Sequence, residues 1–175
     1  LSGVLSAGAA PEITVSPGSD LAAMVKDASP GTSFILLPGK HYSGGIQPKD
    51  RQLFEGRPGA VLSGAIRIGP FARSGDHWKA PGPPPLNPSH GSCDRRVAPE
   101  PEACLLREAL FADDVPLKRV FAVKKLHERA WFQDRATGEV WLGFDPGNLV
   151  IEMSNRLDAF SGLARTHRSI SPVNL

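Results

Sequence analysis

Five aspartates sit where turns or strand ends are expected: Asp113, Asp114, Asp134, Asp145 and Asp158. Calcium takes several oxygen ligands in irregular geometry, so carboxylates at turns suit it, and Asp134, Asp145 and Asp158 are its candidate ligands. The competing reading is ordinary turn chemistry, since an Asp side chain readily bonds its own backbone two residues on. His127 is followed by Glu128 and Arg129, a trio that could move protons. His77-Trp78 lies in a polar stretch, where the broad apolar face of Trp78 could stack on a sugar ring with His77 beside it. The other reading of Trp78 is a buried anchor for its loop. Two cysteines, Cys93 and Cys104, lie in Pro-rich sequence. In an exported protein they form a disulfide across a short loop, worth roughly 3 kcal/mol. Zinc with His90 is the alternative, but no fourth ligand is evident. No Gly-x-Ser-x-Gly elbow, P-loop or dinucleotide fingerprint is present.

The elements that must position these groups are short. The chain has 175 residues, 41% hydrophobic and 22% charged, which suits a packed core. A formal charge of +2 gives no basic patch for nucleic acid. No apolar run is long enough to span a membrane. Gly (18) and Pro (17) are abundant and fall between apolar runs, the mark of many turns joining short strands. Residues 1–12 read as the tail of a secretory signal, ending near Ala7-Gly8-Ala9, or as a flexible start. One helix is expected at 21–28, capped by Ser19-Asp20 and stopped by Pro30-Gly31. Strands follow at 33–39, 52–55, 60–69, 110–123 and 149–154, with Glu152 alternating outward. Asp113-Asp114 reads as a tight corner, and 131–144 as a hairpin with Ala136–Gly138 at its tip. Residues 73–104 read as one long Pro-rich loop. This pattern fits a sandwich or a parallel solenoid, and the near-continuous apolarity of FILL favours the solenoid.

A resemblance bears on that choice. DLAAMVKDASPGTSFILLPGKHYSG and QPKDRQLFEGRPGAVLSGA resemble the N-terminal cap and first coils of right-handed parallel β-helix proteins of the pectate-lyase-like superfamily. LFADDVPLKRV, WFQDRATGEVWLGFDP and VIEMSNRLDAFSG are similar to a bacterial branch of it. The resemblance covers about 13–162 and implies an all-β, right-handed parallel β-helix with an N-terminal capping helix, coils through 162 and the 73–104 loop inserted. It implies a secreted or periplasmic carbohydrate-active protein, a calcium-assisted polysaccharide lyase or a glycoside hydrolase. Related pectin esterases use two Asp for catalysis, a role that would fall to Asp113 and Asp114. Alternatives on the same scaffold are a hydrolase of small esters or lactones, and a non-catalytic glycan-binding or assembly module. Residues 163–175 do not continue the family pattern, so the helix reads as truncated, with a homo-oligomer expected at its open end.

Overall fold

The computed structural model describes residues 10–89, 103–154 and 171–173. The chain is mostly β with one α-helix. It divides into two compact units, residues 1–64 with 157–175, and residues 65–156.

The first unit begins with β1 (Glu12–Val15) and α1 (Leu21–Asp27). Asp20 caps the helix by accepting from the Ala23 N–H at 3.0 Å. Lys49 Nζ donates to the carbonyls of Lys26 and Ala28 at the other end, placing a cation on the negative pole. Then come β2 (Ser33–Leu36), β3 (Gly39–Tyr42), β4 (Leu53–Gly56) and β5 (Ala60–Ser63). β1, β2 and β4 pair in parallel, so Ile13, Phe34 and Phe54 form one row and Val15, Leu36 and Gly56 another. β3 and β5 pair in parallel as a second sheet. Parallel strands need long crossovers. Here the chain turns from one sheet to the other and returns one layer up. Phe34 and Phe54 stack with ring centroids 5.1 Å apart. Leu21 and Val25 of α1 close the same core, both fully buried. The tail expectation needs correcting: Ser171–Val173 is a strand, parallel to β4.

The second unit departs from the expected coils. It contains β6 (Ala65–Arg67), β7 (Ala72–Ser74), β8 (His77–Ala80), β9 (Ala109–Ala112), β10 (Val115–Pro116), β11 (Lys118–Arg119), β12 (Ala130–Gln133), β13 (Val140–Leu142) and β14 (Ile151–Ser154). One sheet runs β10-β9-β14-β6 and the other β11-β12-β13-β8-β7. All the pairs are antiparallel except β11 with β12. The cause is turn length. Asp113 and Asp114 both adopt left-handed φ values, 46° and 63°, and reverse β9 into β10 in two residues. Gly75-Asp76 does the same between β7 and β8, so the expected 73–104 loop opens with a hairpin. Leu110, Ala112, Ile151 and Met153 pack against Trp131, Val140, Leu142 and Ala80 in one core. Glu152 is 3% exposed, not solvated, because β14 lies between β9 and β6 in its sheet.

Gly143 follows β13 against the backbone of His127, and a Cβ there would collide with the His127 carbonyl and N–H. Gly143→Ala is therefore expected to destabilise the protein by about 1–3 kcal/mol, measured by urea unfolding. Gly147→Ala, with open space around it but a φ of +48°, isolates the backbone cost alone.

Candidate functional site: a guanidinium pocket on the second unit

Glu108 stands just before β9, with 1% of its side chain exposed. Burying a carboxylate demands donors. Arg119 Nη2 donates to Glu108 Oε2 at 3.0 Å and to the Glu108 carbonyl at 2.9 Å. The Leu86 N–H donates to Oε1 at 2.7 Å, and Arg135 Nη1 lies 3.6 Å from the same oxygen. Arg135 also donates to the Leu86 carbonyl at 2.6 Å. The carboxylate thus ties the Pro-rich segment to β11 and to the β12–β13 loop. Burial by itself would raise the Glu108 pKa. Hydrogen bonds from its own backbone, Arg119 and Leu86, with the Arg119 charge, outweigh it and hold the carboxyl below its ordinary value. Burial lowers the Arg119 pKa, countered by Glu108 and assisted by Arg135, yet an arginine so placed stays cationic. The Arg119 guanidinium also lies over the ring of buried Trp131 at 4.3 Å.

Above this charge cluster opens a pocket of about 280 Å³. Leu106, Val120, Phe121 and Phe132 give it apolar walls, and Arg119, Gln133 and Arg135 give it polar groups. Gln133 is 6% exposed. Its Nε2 donates to the carbonyls of Pro83 and Gly138, which fixes the amide orientation. Its Oε1 is buried with no hydrogen-bond partner. Gly82 lets the Pro-rich segment lie this close: a Cβ would come within 2.5 Å of the Gly138 carbonyl. Phe132 shares a row with Trp141 and Lys79 on one sheet face. Lys79 Nζ lies 5.1 Å from the Trp141 ring and 2.8 Å from Glu139.

The residues singled out from sequence lie elsewhere. Asp113 is exposed at the hairpin, and its Oδ1 accepts from the Val150 N–H at 2.9 Å. Asp114 is exposed beside it. His127 is exposed ahead of β12, its Nδ1 2.8 Å from the Glu128 carbonyl. Asp134 Oδ1 closes its own turn by accepting from Ala136 and Thr137 N–H groups, and Asp145 Oδ1 accepts from Gly147. Asp158 lies outside the described residues. Among the described residues no three His, Cys, Asp or Glu side chains cluster as a metal site. Trp78 packs partly buried against the core, in the row of Leu142, so the anchor reading describes it better than a sugar platform. His77 is half-buried, and its Nδ1 has no partner. Cys104 stands in the 3-10 turn Ala103–Leu105 and is not a free thiol, while Cys93 and His90 lie outside the described residues. No described helix is long and apolar enough to cross a membrane. Sequence reasoning missed Glu108, Arg119, Gln133 and Arg135. The lone carboxylate inside LLREALFA was their available signal.

No family model matches the chain, and no curated protein matches it. Among solved structures it is similar to XylC, determined in complex with xylose, at a TM-score of 0.64 and 14% identity. The match covers 92% of this chain and 34% of XylC, so this chain spans about a third of that protein's length. At this identity the likeness is one of fold, and it supports a β-helix-like arrangement for the chain.

Glu108→Gln is expected to cost about 3 kcal/mol at pH 7, the low end for a buried pair because Arg135 is partly exposed. The pH dependence follows from the lowered carboxyl. Its stabilisation is complete above the ordinary value of 4.5 and is lost as pH falls through the lowered folded value. Urea unfolding from pH 7 to pH 2 should show that acid-side loss in the wild type and a shallower one in Glu108→Gln. Parallel profiles would remove Glu108 as its source.

Proposed function

We propose that this chain belongs to an exported carbohydrate-active protein, a polysaccharide lyase or glycoside hydrolase, whose stacked unit forms the first coils of a right-handed parallel β-helix. In this reading the pocket on the second unit holds a sugar. The observation that carries it is the pocket's lining. Leu106, Val120, Phe121 and Phe132 line it together with Arg119, Arg135 and Gln133. A pyranose has an apolar face and a hydroxyl rim, and such sites are mostly apolar with a few convergent polar groups. The fold likeness to a protein solved with xylose supports the same class of ligand. A Cys93–Cys104 bridge, the pairing expected from the sequence, would fit an exported location.

The pocket is a binding site in this proposal. Among the described residues no carboxylate lines it, and Glu108 beneath is held ionised by its donors. No step runs through calcium. Self-association has no supporting observation among the described residues and is not part of the reading.

Calorimetric titration with xylose, xylo-oligosaccharides and oligouronates tests this. Saturable binding to at least one of them is expected, with Phe132→Ala weakening it about five-fold, the value of one aromatic face. Binding that Phe132→Ala leaves unchanged, or no binding to any sugar, would contradict the pocket assignment.

A further inference from the structure

Residues 82–89 of the second unit are neither strand nor helix, yet they are held in a regular way. Pro81, Pro83, Pro84, Pro85 and Pro88 make the stretch stiff and strip it of backbone donors. Its exposure repeats every third residue: Pro81, Pro84 and Asn87 are exposed, and the residues between them are half-buried. Its anchor points repeat in step. The Pro83 carbonyl accepts from Gln133 Nε2 at 2.9 Å, the Leu86 N–H donates to Glu108 Oε1 at 2.7 Å, and the Ser89 N–H donates to the Leu105 carbonyl at 2.9 Å. Three residues per turn is the period of a polyproline II helix, which has no internal hydrogen bonds. The segment therefore lies on its own unit as a bound peptide lies on a receptor, one edge anchored and the other in water.

Its hold differs from that of the sheets. No residue from 81 to 88 is a buried core residue, whereas Leu110, Val140, Leu142 and Met153 of the sheets are fully buried. The attachment is by hydrogen bonds, and those at Leu86 are charge-assisted: Arg135 Nη2 donates to its carbonyl at 2.6 Å while Glu108 takes its N–H. Segments with few buried apolar contacts open at a lower free energy than the core beside them. We propose that residues 82–89 form a clasp that opens as one unit while both sheets stay folded, with Leu86, held between Glu108 and Arg135, as its latch. Opening releases Arg135 and Gln133 together, and both line the pocket. The clasp is thus a conformational control on the polar side of the pocket, whatever the pocket binds.

Amide hydrogen exchange of the full chain, followed by NMR at neutral pH, tests this. The Leu86 and Ser89 amides report on the clasp, and those of Ile68 and Gly143, bonded to the Ile151 and Ala130 carbonyls, report on the sheets. Corrected for intrinsic rate, the clasp amides should exchange at least about 100-fold faster than the sheet amides and within about three-fold of each other. Arg135→Gln should speed both clasp amides about ten-fold, the worth of one charge-assisted bond, and leave the sheet amides unchanged. Ser89 is the deciding readout, because its bond goes to Leu105 and not to Arg135. Clasp amides that exchange no faster than the sheet amides would overturn the proposal. Acceleration of Leu86 alone would overturn it too, since the bonds would then open separately. Low urea decides the case without any variant. Clasp opening exposes little surface, so its exchange should barely respond while that of the sheets quickens, and equal urea slopes would overturn the proposal.

Discussion

A carboxylate shut away from water forces its surroundings to take a particular form, and Glu108 is such a group. Its side chain is 1% exposed, so every lone pair must meet a protein donor or stand at several kcal/mol of cost. Groups from three separate segments answer that demand: Leu86 from the Pro-rich stretch and Arg119 from β11 donate hydrogen bonds, and Arg135 beyond β12 adds its charge at 3.6 Å. Each is held where the carboxylate needs it, and both arginines also line the pocket. A buried ion pair is weak evidence for stability, but it is strong for position. Removing either partner leaves an uncompensated charge, which penalises arrangements that separate the three segments.

The first unit rests on a different constraint. Its strands pair in parallel, row on row, and Phe34 stacked on Phe54 shows how like residues repeat in successive layers. The helix α1 closes one end with Leu21 and Val25. Hydrophobic burial and ladder hydrogen bonds dominate there, with the Asp20 cap and the Lys49 anchor at the ends of the helix. The two units thus reach order by different routes, one through repetition and the other through hairpins around a charge cluster.

How much of this was legible in the sequence follows from the range of each interaction. Asp20 as a cap, the strand FILL and the reversal at Asp113-Asp114 are local, and local signals are readable. The antiparallel pairing of the second unit was written in those same short turns, but the resemblance to parallel coils drew residues 65–154 into the stack. The burial of Glu152 depends on β14 having a neighbour on each side, which no alternation pattern encodes. The pocket was the least legible part. Glu108 and Leu86 are 22 residues apart, and Arg119 and Arg135 each lie in unremarkable charged context. Their convergence is a property of sheet order. The aspartates that drew attention are turn residues, with carboxylates engaged by nearby N–H groups at Asp113, Asp134 and Asp145.

The central claim is that Glu108 and Arg119 act as a unit that sets the pocket. A double-mutant cycle with Glu108→Gln, Arg119→Met and the pair, read by urea unfolding at pH 7, tests it most directly. Coupled partners predict that the double variant is less destabilised than the two singles combined, with an interaction energy of about 1.5 kcal/mol or more. Additivity to within about 0.5 kcal/mol would mean that the two side chains are independent, and the account of the pocket would fail with that result.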